Sequence, residues 1–169
     1  MKTLETERLI LRDWEKTDLD DLFKLWSNPN VTIPEGSLPK KTREECIPTF
    51  NYFLKFKNNY AVVYKSTETV IGSIGLNEDG GGIKDALNMG FILNESYWNQ
   101  GIITEACKTI IANAFEFSPI ITVTHAIDNK RTEHIVKKLG FTYVKTLRNI
   151  KMESCENPSD YLYYKLDLK

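Results

Sequence analysis

Residues Met89 to Ala106, MGFILNESYWNQGIITEA, run from an apolar strand through a short polar loop into an amphipathic helix, an arrangement suited to an anion. A helix start leaves its first backbone N–H groups unpaired at the positive end of the helix dipole, so a diphosphate can bind there without a cationic side chain. Gly101 would let the backbone approach such a group closely. A glycine that merely makes the turn explains the same letters, so the loop alone does not decide. A second stretch, Asn129 to Phe141, NKRTEHIVKKLGF, opens a helix directly after a β-branched strand. By itself it reads as an Asn-capped helix with Ile135, Val136 and Leu139 inward and Gly140 at its end. His125 and His134 carry no pattern that assigns them a role.

The elements that must position these segments are legible from periodicity. Arg8 to Arg12 alternate as a short strand, and Thr17 is placed to cap a helix with the stripe Leu19, Leu22, Phe23 and Trp26, ended by Asn28-Pro29. Thr42 and Glu45 form a capping-box pattern before a second helix containing Cys46, Phe50, Phe53 and Lys57, which Pro48 kinks or delays. Three strands follow as a meander, Tyr60 to Lys65, Val70 to Leu76 and Ala86 to Leu93. Gly80-Gly81-Gly82, between the last two, reads as a flexible hairpin tip, since no helix start or GK[ST] follows it. A helix from Thr104 to Phe117, a strand from Ile120 to Ile127, a helix from Lys130 to Leu139 and closing strands Phe141 to Leu147 and Tyr161 to Leu168 complete the order. The fold class is α+β with a mixed sheet.

The 169 residues fit one domain, 1–169, with 41% hydrophobic and 27% charged residues. Against 22 basic stand 23 acidic side chains, a net charge of -1, which gives nucleic acid or an anionic membrane no broad attraction. The first residues lack the apolar stretch of a secretory signal, and no run approaches the roughly 20 residues of a bilayer span, so a cytoplasmic location is expected. Cys46, Cys107 and Cys155 are odd in number and widely spaced, with no CxxC pair, and only two histidines are present, which argues against a disulfide framework and a structural zinc site alike. Cys107 lies at core spacing with Ala106, Ile110 and Ile111.

Taken in order, three segments resemble the GNAT superfamily of acyl-CoA-dependent N-acetyltransferases, in the branch of the ribosomal-protein N-terminal acetyltransferases RimJ and RimL. TERLILRDWEKTDLDDLFKLWSNPNV, from Thr6 to Val31, is similar to that branch's opening signature and first helix. YWNQGIITEA is similar to its YWGKGYATEA loop, and NKRTEHIVKKLGF to its N-x-x-S-x-x-x-x-x-K-L-G-F segment. The resemblance covers essentially the whole chain. It implies a strongly twisted, mostly antiparallel central sheet, splayed near its middle and flanked by helices. It also implies acetyl-CoA as co-substrate, no metal, and an amine acceptor that is a peptide N-terminus or a small amine; a homodimer is left open. Phe91, Ile92 and Leu93 would pair with the pantetheine arm, and Asn99, Gln100, Gly101, Ile102, Ile103 and Thr104 would hold the diphosphate. Two positions depart from the pattern: Asn99 stands where glycine is frequent, and Ile103 where a small residue is usual.

Amide formation needs a neutral amine, a partner for the tetrahedral oxyanion and a proton for the departing thiolate. For a lysine-like amine of pKa about 10.4, deprotonation near neutral pH costs roughly 4 kcal/mol; for an α-amine of about 7.8 it costs well under about 1 kcal/mol. The branch's base aligns with Lys151, which cannot serve, so Glu153, two residues on, is the candidate base, with Glu78 a second. Val136 occupies the place of the tyrosine acid found in many members of the superfamily. The branch's alternative hydroxyl is matched by Thr132, which is the candidate donor to sulfur, and Asn129 is matched to the pantetheine amides or to capping. The oxyanion needs only a backbone N–H of the splayed strand. An acyl-CoA-binding regulatory domain without turnover is the alternative reading.

Overall fold

The computed structural model describes residues 2–114, 118–152 and 157–167. Among them the chain forms one open eight-stranded sheet in the order β1-β2-β3-β4-β5-β6-β8-β7. The strands are β1 (Leu4–Glu5), β2 (Leu9–Arg12), β3 (Asn59–Tyr64), β4 (Thr69–Glu78), β5 (Ala86–Leu93), β6 (Ile120–Ala126), β7 (Thr142–Ile150) and β8 (Ser159–Asp167). Every neighbouring pair is antiparallel except β5 and β6. That pair is joined by α4 (Ile102–Ala114), while α5 (Lys130–Lys138) joins β6 to β7.

The period-2 pattern sorts side chains to two cores on opposite faces. Leu9 and Leu11 of β2 point to the face covered by α4 and α5, where Ile102, Ile110, Ile121, Val123, Val136 and Tyr164 are buried. Ile10 points to the other face, where α1 (Leu19–Trp26) and α3 (Ile47–Phe56) pack Leu22, Leu25, Phe50 and Phe53 around Trp14. Trp14 stacks on Phe53 at 5.6 Å between ring centroids. Cys46 and Cys107 are buried in these cores, and burial pushes the Cys107 thiol well above its ordinary range.

The sheet opens between β5 and β6. Their ladder comprises only Ala86, Leu87 and Asn88 against Ile120, Ile121 and Thr122. Beyond it β5 stays on β4 as far as Leu93, and β6 stays on β8 as far as Ala126. The root of the split is tied by side chains. Asn88 donates to Thr122 at 3.1 Å, and the Thr122 and Tyr163 hydroxyls donate to Asp79 at 2.7 and 2.8 Å. Gly81 lies against the fully buried Tyr163 ring, where a Cβ would come within 2.1 Å, so this glycine is a close-packing residue and not only a flexible tip.

Several local expectations shift. Glu15, not Thr17, caps the entry to the first helix, forming a reciprocal box with Asp18 across a 3-10 turn, Lys16–Asp18. Glu45 accepts from the Lys41 backbone instead of closing a box with Thr42, and the helix starts late, at Ile47, because Pro48 is tolerated only in its first turn. Asn28-Pro29 does end α1, but Asn28 also caps a one-turn helix, α2 (Pro29–Thr32), with Pro29 in its first turn. A 3-10 turn, Ile33–Glu35, then closes at Gly36 in the left-handed region. α4 begins at Ile102, two residues earlier than the apolar rows suggest, because Gly101 already accepts from the Glu105 N–H.

Candidate active site

The loop before α4 is built from two left-handed residues, Asn99 at φ 61° and Gly101 at φ 74°. Asn is the side chain that best tolerates this conformation after glycine, so the first departure from the family pattern preserves the backbone path. With Gly101 capping, the N–H groups of Ile102, Ile103 and Thr104 lack helical partners and open onto a cavity of about 480 Å³. Ile103 is buried and lines this cavity with Asn99 and Gly101, so its bulk forms part of the wall. Lys130, Arg131, His134 and Lys138 of α5 line the opposite side. Those cations, and His134 above all, were given no role by sequence reasoning. Their spacing along one helix was the available signal. Arg131 stacks on the Trp98 ring at 3.4 Å.

The opening signature explains itself here. Arg8 donates from Nε to Glu105 at 2.8 Å and from Nη1 to the Gln100 carbonyl at 3.0 Å, while the Thr6 hydroxyl donates to Glu105. Burial would raise the Glu105 carboxyl, but hydrogen bonds from Thr6 and Arg8 hold it below its ordinary value. A segment about 95 residues away in sequence thus clamps the loop from outside. Replacing Arg8 with Ala should weaken CoA binding about tenfold, near the worth of one charge-assisted hydrogen bond, with the fold retained. Calorimetric titration with CoA checks it, and unchanged affinity would remove the clamp from cofactor recognition.

The β5 edge leads away from this cavity. Asn94 donates its N–H to the Ile71 carbonyl, which fixes the alternation along β5: Ile92 turns its backbone groups to β4, and Phe91 and Leu93 turn theirs to the split. The Leu93 carbonyl is taken by the Trp98 indole at 2.8 Å, which leaves Phe91 with both groups facing the opening. A narrow cavity of about 50 Å³ follows this edge, lined by Phe91, Ile92, Leu93, Ile103, Asn129 and Thr132 among others. It shares Leu93, Trp98, Ile103, Arg131 and Ile135 with the larger one.

At the start of α5, Asn129 accepts from the Thr132 N–H at 3.1 Å and reaches the Pro34 carbonyl at 3.4 Å. Its amide is engaged in capping and in tying down the Ile33–Glu35 turn, although the residue still lines the narrow cavity. Thr132 is buried, and its hydroxyl makes no hydrogen bond among the described residues. Val136 is core, as its position in the helix stripe implied. His125 is buried and stacked on Tyr164, and burial pulls its imidazole below the ordinary value.

Glu78, the second candidate base, is not among the residues lining either cavity. Glu78 sits exposed at the far end of β4, opposite Leu87 and away from the split. Glu153 lies outside the described residues. Glu35 lines the narrow cavity and also a third one, of about 200 Å³, on the α1–α3 face, and the two share Glu35, Phe91 and Ile92. Loss of solvation pushes the half-buried Glu35 carboxyl up to about 7. Nothing in IPEGS marks a loop glutamate as desolvated, because the wall comes from α1, β4 and β5.

A family model described as "Acetyltransferase (GNAT) domain" matches residues 8–142. An N-acetyltransferase of Bacillus licheniformis is 28% identical over 160 residues, covering 88% of this chain and 87% of its own. Among solved structures, the acetyltransferase from Salmonella typhimurium that modifies the N-terminal serine of ribosomal protein L7/L12 superposes with a TM-score of 0.84 at 15% identity, over 99% of this chain and 100% of that one. The spermidine N-acetyltransferase of Vibrio cholerae, solved with CoA and spermine, gives 0.80 at 17%, over 96% and 97%. A family match across that much of the sequence, on an architecture shared from end to end with acetyltransferases, makes this chain a GNAT-family N-acetyltransferase.

Proposed function

We propose that the protein moves the acetyl group of acetyl-CoA to a primary amine by direct attack in a ternary complex, the acceptor being a peptide N-terminus or a small amine. The observation that carries this is the parting of β5 from β6 beside the bare N-terminus of α4. The donor set fits the co-substrate: three unpartnered N–H groups and a cationic wall for phosphates, then an open strand edge for the amides of the arm. Acetyl-CoA supplies a thioester carbonyl ready for acyl transfer.

The residues of the chain do the rest. The α4 N-terminus and the α5 cations hold the diphosphate end. Phe91 pairs with the arm and presents its N–H to the oxyanion that forms on attack. The Thr132 hydroxyl, unengaged and buried beside the strand edge, donates to the sulfur as the C–S bond breaks. The Salmonella and Vibrio enzymes act on a protein N-terminus and on a polyamine, but at 15% and 17% identity they share the fold and do not select the acceptor.

Thiol release from acetyl-CoA across a panel of amines and N-terminal peptides tests the reading. Turnover with at least one amine is expected, whereas CoA binding without turnover by any would leave a binding domain. Thr132→Ala should lower kcat about tenfold to a hundredfold while leaving acetyl-CoA affinity within a few-fold. Equal loss of both would take the hydroxyl out of the chemistry.

A further inference from the structure

We propose that Glu35 is the catalytic base and that the cavity beyond it selects a small primary amine with an uncharged, hydrogen-bonding tail. The proposal rests on the acetyltransferase reading and narrows its acceptor.

The geometry is the first argument. Glu35 stands where the cavity along the β5 edge meets the cavity on the α1–α3 face, with Phe91 and Ile92 forming the shared wall. An amine entering from the α1–α3 side meets this carboxylate as it reaches the strand edge. The turn that carries Glu35 is fixed from both sides of the split. Asn129 of α5 reaches the Pro34 carbonyl, α2 lies beside β5, and the turn itself lies beside β6. Gly36 follows at φ 84°, and a Cβ there would come within 2.6 Å of Met152, so the path past Glu35 is closely constrained.

Charge and hydrogen bonding give the acceptor. The 200 Å³ cavity is walled by Trp26 and Phe53 and by the polar side chains of Thr32, Ser37, Asn59, Ser73 and Asn77, with Glu35 its one ionisable residue among the described ones. Trp26 adds a buried indole N–H without a hydrogen-bond partner among the described residues. A single carboxylate matches one ammonium group. Among the described residues of this cavity, a polyamine's further cations would meet no acidic partner and an amino acid's carboxylate no cation. An amino alcohol or an amide-tailed amine brings one ammonium group and an uncharged tail that these hydroxyls and amides can meet.

Among the described residues, the charged groups around Glu35 leave its titration to desolvation. Arg131, across the narrow cavity, is stacked on Trp98, and Lys151, next to Met152, is exposed. The carboxyl is therefore protonated below about 7 and able to accept a proton above it, near the optimum for a base at neutral pH. In the reaction the ammonium gives one proton to Glu35, which returns it to solvent. The neutral nitrogen forms the N–C bond as the carbonyl electron pair moves to oxygen. When the C–S bond breaks, the second proton leaves the nitrogen and ends on the thiolate, giving amide and thiol.

The test is thiol release by the full chain with acetyl-CoA and ethanolamine, glycinamide, spermidine, glycine or an alanine-initiated peptide. It is run with wild type, Glu35→Gln and Glu153→Gln, with CoA affinity and melting temperature measured in parallel. Ethanolamine or glycinamide should be the best acceptors. Glu35→Gln should lower kcat/KM for them at least a hundredfold with CoA affinity within twofold, and should abolish the rise in kcat/KM through about pH 7. Retention of that rise in Glu35→Gln, or its loss in Glu153→Gln alone, overturns the assignment of the base. Preference for spermidine or the peptide overturns the acceptor class. Absence of CoA binding in the wild type would instead bring down the acetyltransferase reading beneath it.

Discussion

Gly101→Asp is expected to weaken CoA binding by on the order of a hundredfold, while Gly101→Asn weakens it no more than a few-fold. Both side chains tolerate the left-handed conformation at φ 74°, and the position is open, the nearest atom to a Cβ being Arg8 Nη2 at 3.8 Å. Neither substitution therefore tests strain. The difference is one negative charge beside a doubly charged diphosphate. Against the nearer phosphate alone, at about 6 Å and an effective dielectric near 20, this repulsion is worth about 3 kcal/mol, or roughly a hundredfold in Kd. The effect should shrink in high salt because the site is open to solvent. Calorimetry on the two variants decides: equal affinities would mean that the phosphates do not sit at the α4 N-terminus.

Arg12→Met should cost about 3 kcal/mol of folding stability, the largest loss anticipated from a single change outside the hydrophobic cores. Arg12 donates to both oxygens of Asp18, from Nη1 at 2.7 Å and from Nη2 at 3.0 Å, and Asp18 also accepts the Glu15 N–H at 2.8 Å. The Asp18 side chain is only 7% exposed, so removing its partner strands a buried charge. The carboxylate anchors the entry to α1, whose far end forms one wall of the acceptor cavity. Urea unfolding at fixed pH gives the number. The double change Arg12→Met with Asp18→Leu should recover much of the loss, and a loss under about 1 kcal/mol for the single change would mean that the pair is solvated.

The elements were largely legible in the sequence because most obey one clean period. β3, β4 and β5 alternate or run apolar between turn residues, α4 repeats its buried rows through Ala106, Cys107, Ile110 and Ile111, and α5 shows its Asn cap and closing glycine. The strand, left-handed turn and helix start proposed to seat the cofactor were legible for the same reason, since all three are local features. What escaped depends on partners distant in sequence. The two-residue strand Leu4–Glu5 exists only because β2 lies beside it, and α2 is one turn long, too short to show a period. Glu35 looks like any turn glutamate until α1, β4 and β5 remove its water. Arg8 and Glu105 become a pair only when the first strands reach the start of α4.

The two cores lie back to back, separated by the sheet. On the proposed reading, nucleotide recognition draws on the α4–α5 layer, while the acceptor meets the opposite face, at Trp26 of α1, Phe53 of α3 and strand residues such as Ser73 and Asn77. Replacements at Trp26, Phe53 or Asn77 can reshape what enters without disturbing the seat of the activated acyl donor. On that proposed division, a designer seeking altered selectivity can confine a mutant library to one face of the sheet and leave the other untouched.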